Sequence, residues 1–341
     1  MQYRSLGRSG LKVSVLSYGN MNTGFLEGNT EEWSFDHLKK CIDLGVNLID
    51  TAEFYGFGKA ETVLGNDLKR GGWDRDDLII SDKLLPGGAG IQGLSRKRVR
   101  AGLRNGLKRL QLDNVDLLFL HRFDHEVPLL ETIRAVNDLI DNDLAYYWGT
   151  SAFSAQQLID CHRLCEKHGL IAPIVEQCEY NLITRKTFEV DYIPLFDQYG
   201  MGTTIWSPLA GGLLTGRFNS GSIPEDSRIN HYGALSPRLV QMNAMRMAGC
   251  TLEGLQALGT LAVELGCTQS QLSLAWTLKS KDVSTALFGA SKVSQIVDNV
   301  GALAVLPKLT AEVLARIEGF MKTKPEAPFD WRTMSPSTPR R

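Results

Sequence analysis

Leu48-Ile-Asp-Thr-Ala-Glu-Phe-Tyr55 carries an apolar run, begun at Val46 and ended at Ile49, into a carboxylate at Asp50 and a phenol at Tyr55, with a helix expected from about Lys59. A strand, a loop and a helix, with reactive side chains at the strand's carboxyl end, form the unit on which barrel enzymes keep their chemistry. Two later runs end alike: Leu78-Ile-Ile-Ser-Asp-Lys83 in a lysine, and Val115-Asp-Leu-Leu-Phe-Leu-His121 in a histidine.

Outward from these three, the chain alternates. Helices are expected near 31–44, 59–70, 95–110, 128–141, 154–168, 190–199, 251–265 and 293–302, and strands near 15–18, 46–49, 78–82, 115–120, 144–149, 173–178, 202–206 and 284–288. Alternation of this kind implies parallel strands with crossover helices, and eight units favour a closed (β/α)8 TIM barrel over an open sheet. Ahead of the first barrel strand, Gln2–Ser5 and Leu11–Val15, split by the turn Gly7-Arg-Ser-Gly10, predict an N-terminal hairpin. Ser154-Ala-Gln-Gln157 and Thr268-Gln-Ser-Gln271 fit the capping box, and the second predicts an extra helix over about 269–279. Residues 211–250, rich in glycine and then methionine, form a long insertion after strand 7. The barrel is expected to occupy 1–322, and the proline-spaced segment 323–341 to be an extended tail.

Composition narrows the function classes. With 37 basic and 38 acidic residues the net charge is −1, which gives no drive toward nucleic acid or an anionic membrane and points to a small-molecule partner. The chain lacks an apolar run of the ~18 residues a membrane helix needs, and Met1-Gln-Tyr-Arg-Ser-Leu-Gly7 lacks a signal-peptide core, so a cytoplasmic protein with reduced thiols is expected. Several strings imitate other chemistries. Gly88-Ala-Gly-Ile-Gln-Gly93 has dinucleotide-fingerprint spacing, but its glycines should open a helix directly, and the helix starts only near Ser95; a plain loop is the simpler reading. Gly211–Phe218 has P-loop glycine spacing with Arg217 and Phe218 where Lys and a hydroxyl belong, which removes the magnesium ligand. His121, Asp124, His125 and Glu126 crowd one loop without metal-ligand spacing, and Cys161, Cys165 and His168 share a helix without a fourth ligand, so no metal is expected.

Asp50, Tyr55, Lys83 and His121 taken singly are ordinary strand-end residues; together, at three adjacent strand ends, they face one cavity. Carbonyl reduction suits them. An alkoxide forming on the substrate needs a proton, and a tyrosine of pKa about 10 is a reluctant donor or acceptor near neutrality. An ammonium about 4 Å away favours phenolate by about 4 kcal/mol at an effective dielectric of about 20, or roughly three pKa units. Asp50 would hold Lys83 charged, and His121 would donate to the carbonyl oxygen. Hydride must come from a cofactor.

Asp50-Thr-Ala-Glu-Phe-Tyr55, Lys83, Leu120-His121-Arg122, Trp148-Gly-Thr-Ser151, Glu176-Gln177, Trp206-Ser-Pro-Leu-Ala210 and Gly289-Ala-Ser291 together resemble an aldo-keto reductase, from Tyr3 to about Leu309. Gly58-Lys-Ala-Glu61, Tyr147–Ser151, Glu176–Tyr180 and Val305-Leu-Pro-Lys308 make the chain most similar to the branch containing the potassium-channel β subunits. The resemblance implies NADP(H), with Tyr55 as general acid, Lys83 and Asp50 tuning it and His121 orienting the carbonyl. It implies Ser151 and Gln177 at the nicotinamide amide, Trp206 under the ring, and Ser207, Leu209, Gly211 and Arg217 along the pyrophosphate. Arg228 would lie near the adenine, and Ser291, Gln295, Asp298 and Asn299 at the adenosine and its phosphate. Asn20, Met21, Asp50, Pro208, Ala210 and Gly289 complete the expected cofactor set. Three positions depart from the β-subunit pattern: His121 stands where many have asparagine, Asn20-Met21 where they have Thr-Trp, and Ala152 where they have arginine.

Two functions follow as expectations: an NADPH-dependent reductase of small aldehydes or ketones, or an accessory subunit that docks on a channel and uses bound cofactor as a redox sensor. A homo-oligomer, tetramer included, stays open. The insertion is expected to close over the cofactor through Arg217 and Arg228. Ser291, Lys292 and Gln295, at the start of the last barrel helix, favour a 2′-phosphate and hence NADPH, with Asp298 left for the adenine amino group.

Overall fold

The computed structural model describes residues 1–25, 30–87, 93–225, 227 and 237–326. Two short strands, β1 (Tyr3–Ser5) and β2 (Lys12–Ser14), pair antiparallel with Tyr3 opposite Ser14. Eight parallel strands then close on themselves: β3 (Leu16–Gly19), β4 (Leu48–Asp50), β5 (Ile79–Leu84), β6 (Val115–Leu120), β7 (Ala145–Ser151), β8 (Val175–Glu179), β9 (Gly202–Trp206) and β10 (Thr285–Phe288). The seam is β10, hydrogen-bonded to β3 on one side and β9 on the other. This is the predicted TIM barrel, with its hairpin.

Strand periodicity sorts the interior into layers. Leu48, Ile79, Leu117, Phe119, Val175 and Leu287 form an apolar cluster inside the barrel, sealed at the amino-terminal end by Leu6 and Val13 of the hairpin. Because side chains alternate with a period of two, residues two or four further along these rows also face inward at the opposite mouth: Asp50, Lys83, His121 and Gln177. Intervening residues such as Ile49, Ile80 and Leu118 pack outward in the separate core under the helices.

The helices are α1 (Met21–Phe25), α2 (Glu31–Asp43), α3 (Lys59–Gly71), α4 (Arg96–Leu110), α5 (Leu129–Ile140), α6 (Ala155–His168), α7 (Ile193–Tyr199), α8 (Pro237–Ala248), α9 (Leu252–Glu264), α10 (Gln269–Lys279), α11 (Val293–Val300) and α12 (Ala311–Met321). Both capping boxes form, at Ser154/Gln157 and Thr268/Gln271, each serine or threonine hydroxyl and glutamine amide satisfying exposed backbone donors. Besides the short α1, which was not expected, three elements depart from expectation. The helix expected over 190–199 starts as a wide turn at Thr187–Asp191 and becomes α-helical only from Ile193, where Pro194 cannot donate a backbone hydrogen bond. The insertion contains α8. Finally, α12 was not expected, although Thr310 caps it and Ile317 and Met321, four residues apart, are buried. It packs so closely on α9 that a Cβ at Gly254 would lie 3.1 Å from the Phe320 carbonyl oxygen.

Thr323 donates to the Leu182 carbonyl at 2.5 Å, which anchors the chain as it leaves α12. Most of the expected tail, residues 327–341, lies outside the described residues, as does most of the glycine string at 88–93. Among the described residues no helix is long and apolar enough to cross a membrane, and no group of three His, Cys, Asp or Glu is placed to hold a metal. The six cysteines are unpaired.

Candidate active site

Asp50 ends β4, and the loop after it keeps pace with β5: Thr51 N–H donates to the Ser81 carbonyl at 3.0 Å and Glu53 N–H to that of Lys83 at 3.2 Å. A turn at Ala52–Tyr55, closed by a 3.0 Å backbone bond, then brings the phenol over the barrel mouth. Gly56, Phe57 and Gly58 follow with φ of 60°, 53° and 94°, an abrupt reversal into α3 in which the strained residue, Phe57, is also exposed.

These elements assemble the expected tetrad. The Lys83 ammonium ion-pairs with Asp50 Oδ2, donates to the Thr51 carbonyl at 2.7 Å and reaches the Tyr55 hydroxyl at 3.3 Å. Asp50 Oδ1 accepts from the Ser81 hydroxyl at 2.8 Å and from Gln177 Nε2 at 3.2 Å. The His121 and Tyr55 rings meet edge to face with centroids 5.9 Å apart. His121 Nδ1 is buried and finds no partner among the described residues. Arg122, to which sequence reasoning gave no role, donates to the His121 carbonyl and to Ser151 Oγ, the latter at 3.1 Å, and so ties the ends of β6 and β7 together.

The electrostatics differ from the sequence expectation in one respect. Burial pushes the Tyr55 phenol above its ordinary value; Lys83 and Arg122 pull it down only in part, and Asp50 adds to the rise. The expected phenolate-favouring shift is therefore overturned: the protein strips water from the phenolate, and Asp50 offsets much of the Lys83 charge. Tyr55 is held protonated. Burial alone would lower the Lys83 ammonium, but the charges and hydrogen bonds of Asp50 and Tyr55 outweigh it, and Lys83 ends above its ordinary value. Burial, with Lys83 and Arg122 adding to it, holds His121 well below the usual histidine range, so the imidazole is neutral near pH 7. A neutral imidazole keeps one N–H to donate.

The residues expected around the cofactor occupy an arc from β7 to α11 and back across β3. Asn20 and Met21 follow β3; the Asn20 amide donates to the Ala60 carbonyl at 3.1 Å, while its Oδ1 is buried without a partner among the described residues. Ser151 and Gln177 stand opposite each other in register on β7 and β8. Trp206 ends β9, and its indole Nε1 is likewise buried and unpartnered among the described residues. Ser207, Ala210, Gly211 and Gly212 then take left-handed backbone (φ 50°, 50°, 68° and 108°), with Pro208 and Leu209 between them. Such a run lets main chain approach a ligand where a β-carbon would otherwise stand. Arg217 is exposed beyond this loop, and Gly289 follows β10. At the start of α11 the Gln295 carboxamide oxygen accepts from the Ser291 amide at 2.8 Å and the Lys292 amide at 3.3 Å. Asp298 accepts from Thr268 at 3.1 Å and Gln271 at 3.0 Å, and Asn299 is buried. Arg228 lies outside the described residues.

Sequence reasoning passed over Arg246 of α8. It is buried, bonds Glu179 of β8 at 2.7 Å and lies over the Trp206 ring at 5.7 Å, so the insertion does return to the barrel mouth, through this residue. A basic residue in the last turn of an amphipathic segment was the available signal. Beside Trp206, a cavity of about 660 Å³ opens between Phe153, Cys178, Glu179 and Tyr192, to one side of the tetrad.

The profile of the Aldo/keto reductase family matches residues 15–322. The chain is 44% identical over 336 residues to a protein of Oryza sativa subsp. japonica named "Probable voltage-gated potassium channel subunit beta", covering 97% of this chain and 100% of that one. It is 42% identical, with the same coverage, to one of the same name from Arabidopsis thaliana. A family match over nearly the whole barrel, together with these identities, shows that the chain belongs to the aldo/keto reductase family of oxidoreductases.

Proposed function

We propose that this protein reduces small aldehydes or ketones to alcohols with NADPH. The observation that carries this reading is the buried Asp50–Lys83–Tyr55 chain of contacts, with Lys83 Nζ 3.3 Å from the phenol oxygen, beside a neutral His121. The site fits a nicotinamide: Trp206 offers a ring face, the buried Trp206 Nε1 and Asn20 Oδ1 have no partner among the described residues, and the left-handed backbone at Ser207, Ala210, Gly211 and Gly212 leaves room for a diphosphate. Ser151 and Gln177 would hold the carboxamide, Trp206 the ring, Ser207 to Gly211 and Arg217 the diphosphate, and Ser291, Gln295 and Asn299 the adenosine end. Once bound, the nicotinamide supplies hydride to the carbonyl carbon.

The chain's own groups do the rest. His121 donates to the carbonyl oxygen and fixes its direction, which stabilises charge developing there. Tyr55 gives its proton to that oxygen. Lys83, held charged by Asp50, stabilises the phenolate left behind, and burial makes re-protonation favourable. The insertion, through α8 and Arg246, would close over the cofactor. Screening a panel of carbonyls for loss of NADPH absorbance tests the reading; no turnover with any aldehyde or ketone, by protein that binds NADPH, would sink it.

The names of the relatives favour a second reading, an accessory subunit of a potassium channel in the cytoplasm that senses redox state through NADP(H). Solution mass separates the two: a fourfold assembly that co-purifies with a channel supports docking, whereas a monomer with rapid turnover supports metabolism.

A further inference from the structure

Glu53 lies in the loop between Asp50 and Tyr55, and its carboxylate is turned away from the barrel mouth. There Oε1 accepts from the Leu85 amide, just past β5, at 2.8 Å and from Arg98 Nη2 at 2.5 Å. Both side chains of the pair are at least nine-tenths buried. Arg98 belongs to the first turn of α4, and Gly102, one turn later, makes its position possible: a Cβ there would stand 2.1 Å from Arg98 Nη1. Besides the bonds that the Lys83 ammonium itself makes to Thr51 and Tyr55, three links tie the loop that carries Tyr55 to β5 and the residue after it. Two are the backbone bonds from Thr51 and Glu53 described above, and the third, at Leu85, depends on a side chain.

The surroundings make that third link conditional on Arg98. On the outward face of β5, Asp82 Oδ1 accepts from the Lys83 amide at 2.8 Å, and Glu61 of α3 is held by Arg109 of α4 at 2.8 and 3.0 Å. A Cβ at Gly106 would meet Asp82 at 2.6 Å and Glu61 at 2.9 Å, so these two carboxyls share one small space. Burial raises both, Glu61 adds to the rise of Asp82 while Arg109 and a hydrogen bond with Asp82 hold Glu61 down in part, and the Glu53 charge raises both further. Glu53 is thus the third carboxyl of a buried acidic group. Arg109 serves Glu61, and among the described residues Arg98 is the cation that bonds Glu53. A carboxylate left unpaired beside two others would be driven out or protonated.

We propose that Arg98 and Glu53 are positioning residues for the proton donor: their buried pair locks the Asp50–Tyr55 loop against β5 and thereby sets the Lys83–Tyr55 contact. This rests on the reading of Tyr55 as the acid. Among the described residues the titratable groups facing the phenol include Lys83, Asp50, His121 and Arg122, and loosening the loop weakens chiefly the Lys83 contact. Loss of a nearby cation raises a phenol's pKa.

Arg98→Met, Arg98→Lys and Gly102→Ala in the full chain test this. The alanine favours the helix while displacing the guanidinium, and both charges are kept. Four quantities are read: kcat and KM for a carbonyl substrate, NADPH affinity from tryptophan quenching, and the Tyr55 titration midpoint by NMR of 13C-tyrosine protein, assigned with Tyr55→Phe. The expected result for Arg98→Met and Gly102→Ala is a kcat loss of about 10²-fold, an unchanged NADPH Kd, and a Tyr55 midpoint moved upward, with partial recovery in Arg98→Lys. A wild-type midpoint in a folded variant overturns the proposal, whether kcat falls or not. If Arg98→Met fails to fold, the midpoint in Gly102→Ala decides. If wild-type protein reduces no carbonyl, the functional reading fails, yet the midpoint comparison still tests the positioning role.

Discussion

At the lower end of the barrel Leu48, Ile79, Phe119 and Val175 pack beneath the hairpin, whereas a few residues further along the same inward rows stand Asp50, Lys83, His121 and Gln177. The two ends share strands, register and burial, and differ in chemistry. The apolar layer gains from leaving water. The polar layer does not: Lys83 and Asp50 give up hydration that their mutual attraction repays only with good geometry and further hydrogen bonds, which Ser81, Thr51, Gln177 and Tyr55 supply. Stability should therefore reside mainly below and rate mainly above, and substitutions can separate the two.

The largest effect should come from the upper end. Tyr55→Phe is expected to lower kcat by about 10²- to 10⁴-fold and to leave NADPH affinity within about twofold, since the phenol is assigned to proton transfer and not to cofactor contacts. Steady-state kinetics with a fluorescence titration check both, and equal turnover would remove Tyr55 from the mechanism. Phe119→Ala is the counterpart below, expected to cost about 3–5 kcal/mol of stability in urea unfolding. If the folded fraction of that variant lost turnover as Tyr55→Phe does, the separation of the two ends would be wrong.

His121→Asn sharpens the upper end from within. An amide can still donate to the carbonyl oxygen, so a kcat loss of about tenfold is expected, smaller than removal of a whole oxyanion donor. A loss exceeding that of Tyr55→Phe would make histidine the main acid. Glu176, between the neighbouring rows of β8, faces outward and tests the wall that joins the two ends. It accepts from Thr150 at 2.5 Å, and burial pushes it up to about 8. Its proton is held in the folded protein and released on unfolding between the ordinary carboxylate range and about pH 8. The folded state thus binds more protons, and this contribution to stability, full at low pH, is lost as pH rises toward about 8. Glu176→Gln should flatten that slope and raise Tm at pH 8 by about 2–4 °C, with no gain at pH 5; equal shifts at both would refute the assignment.

Much of this was legible in the chain because strand ends announce themselves: Asp50, Lys83 and His121 each close an apolar run, and parity turns them to one side. Tyr55 was legible by its place in the loop. What composition and spacing could not supply was solvation. A phenol next to a lysine reads as acidified until its burial and the offsetting Asp50 charge are known. Arg246 and Arg98 were hidden for another reason: each reaches its partner, Glu179 or Glu53, across a sequence separation that no local pattern records. The helix Ala311–Met321 was visible in its periodicity and was missed because eight units had already filled the barrel.

The smallest expected effect lies on the far rim, at the start of α11. The Gln295 carboxamide oxygen accepts from the amides of Ser291 and Lys292, and the Ser291 hydroxyl donates to the same oxygen at 3.2 Å. An acceptor already sits where helix amides converge, and a phosphate oxygen would satisfy the same donors while gaining from the helix dipole. The carboxylate that could have argued for NADH, Asp298, is engaged by Thr268 and Gln271 on the neighbouring helix, which leaves the first turn to the phosphate. NADPH should therefore bind more tightly than NADH, and Ser291→Ala should narrow the gap by about fivefold, worth about 1 kcal/mol for one solvent-exposed hydrogen bond. Added salt should narrow it further, because the extra phosphate is the charged difference between the two nucleotides. Paired titrations of NADPH and NADH at low and high ionic strength measure this, and an NADH Kd equal to or below that of NADPH at low salt would remove residues 291–299 from the phosphate site.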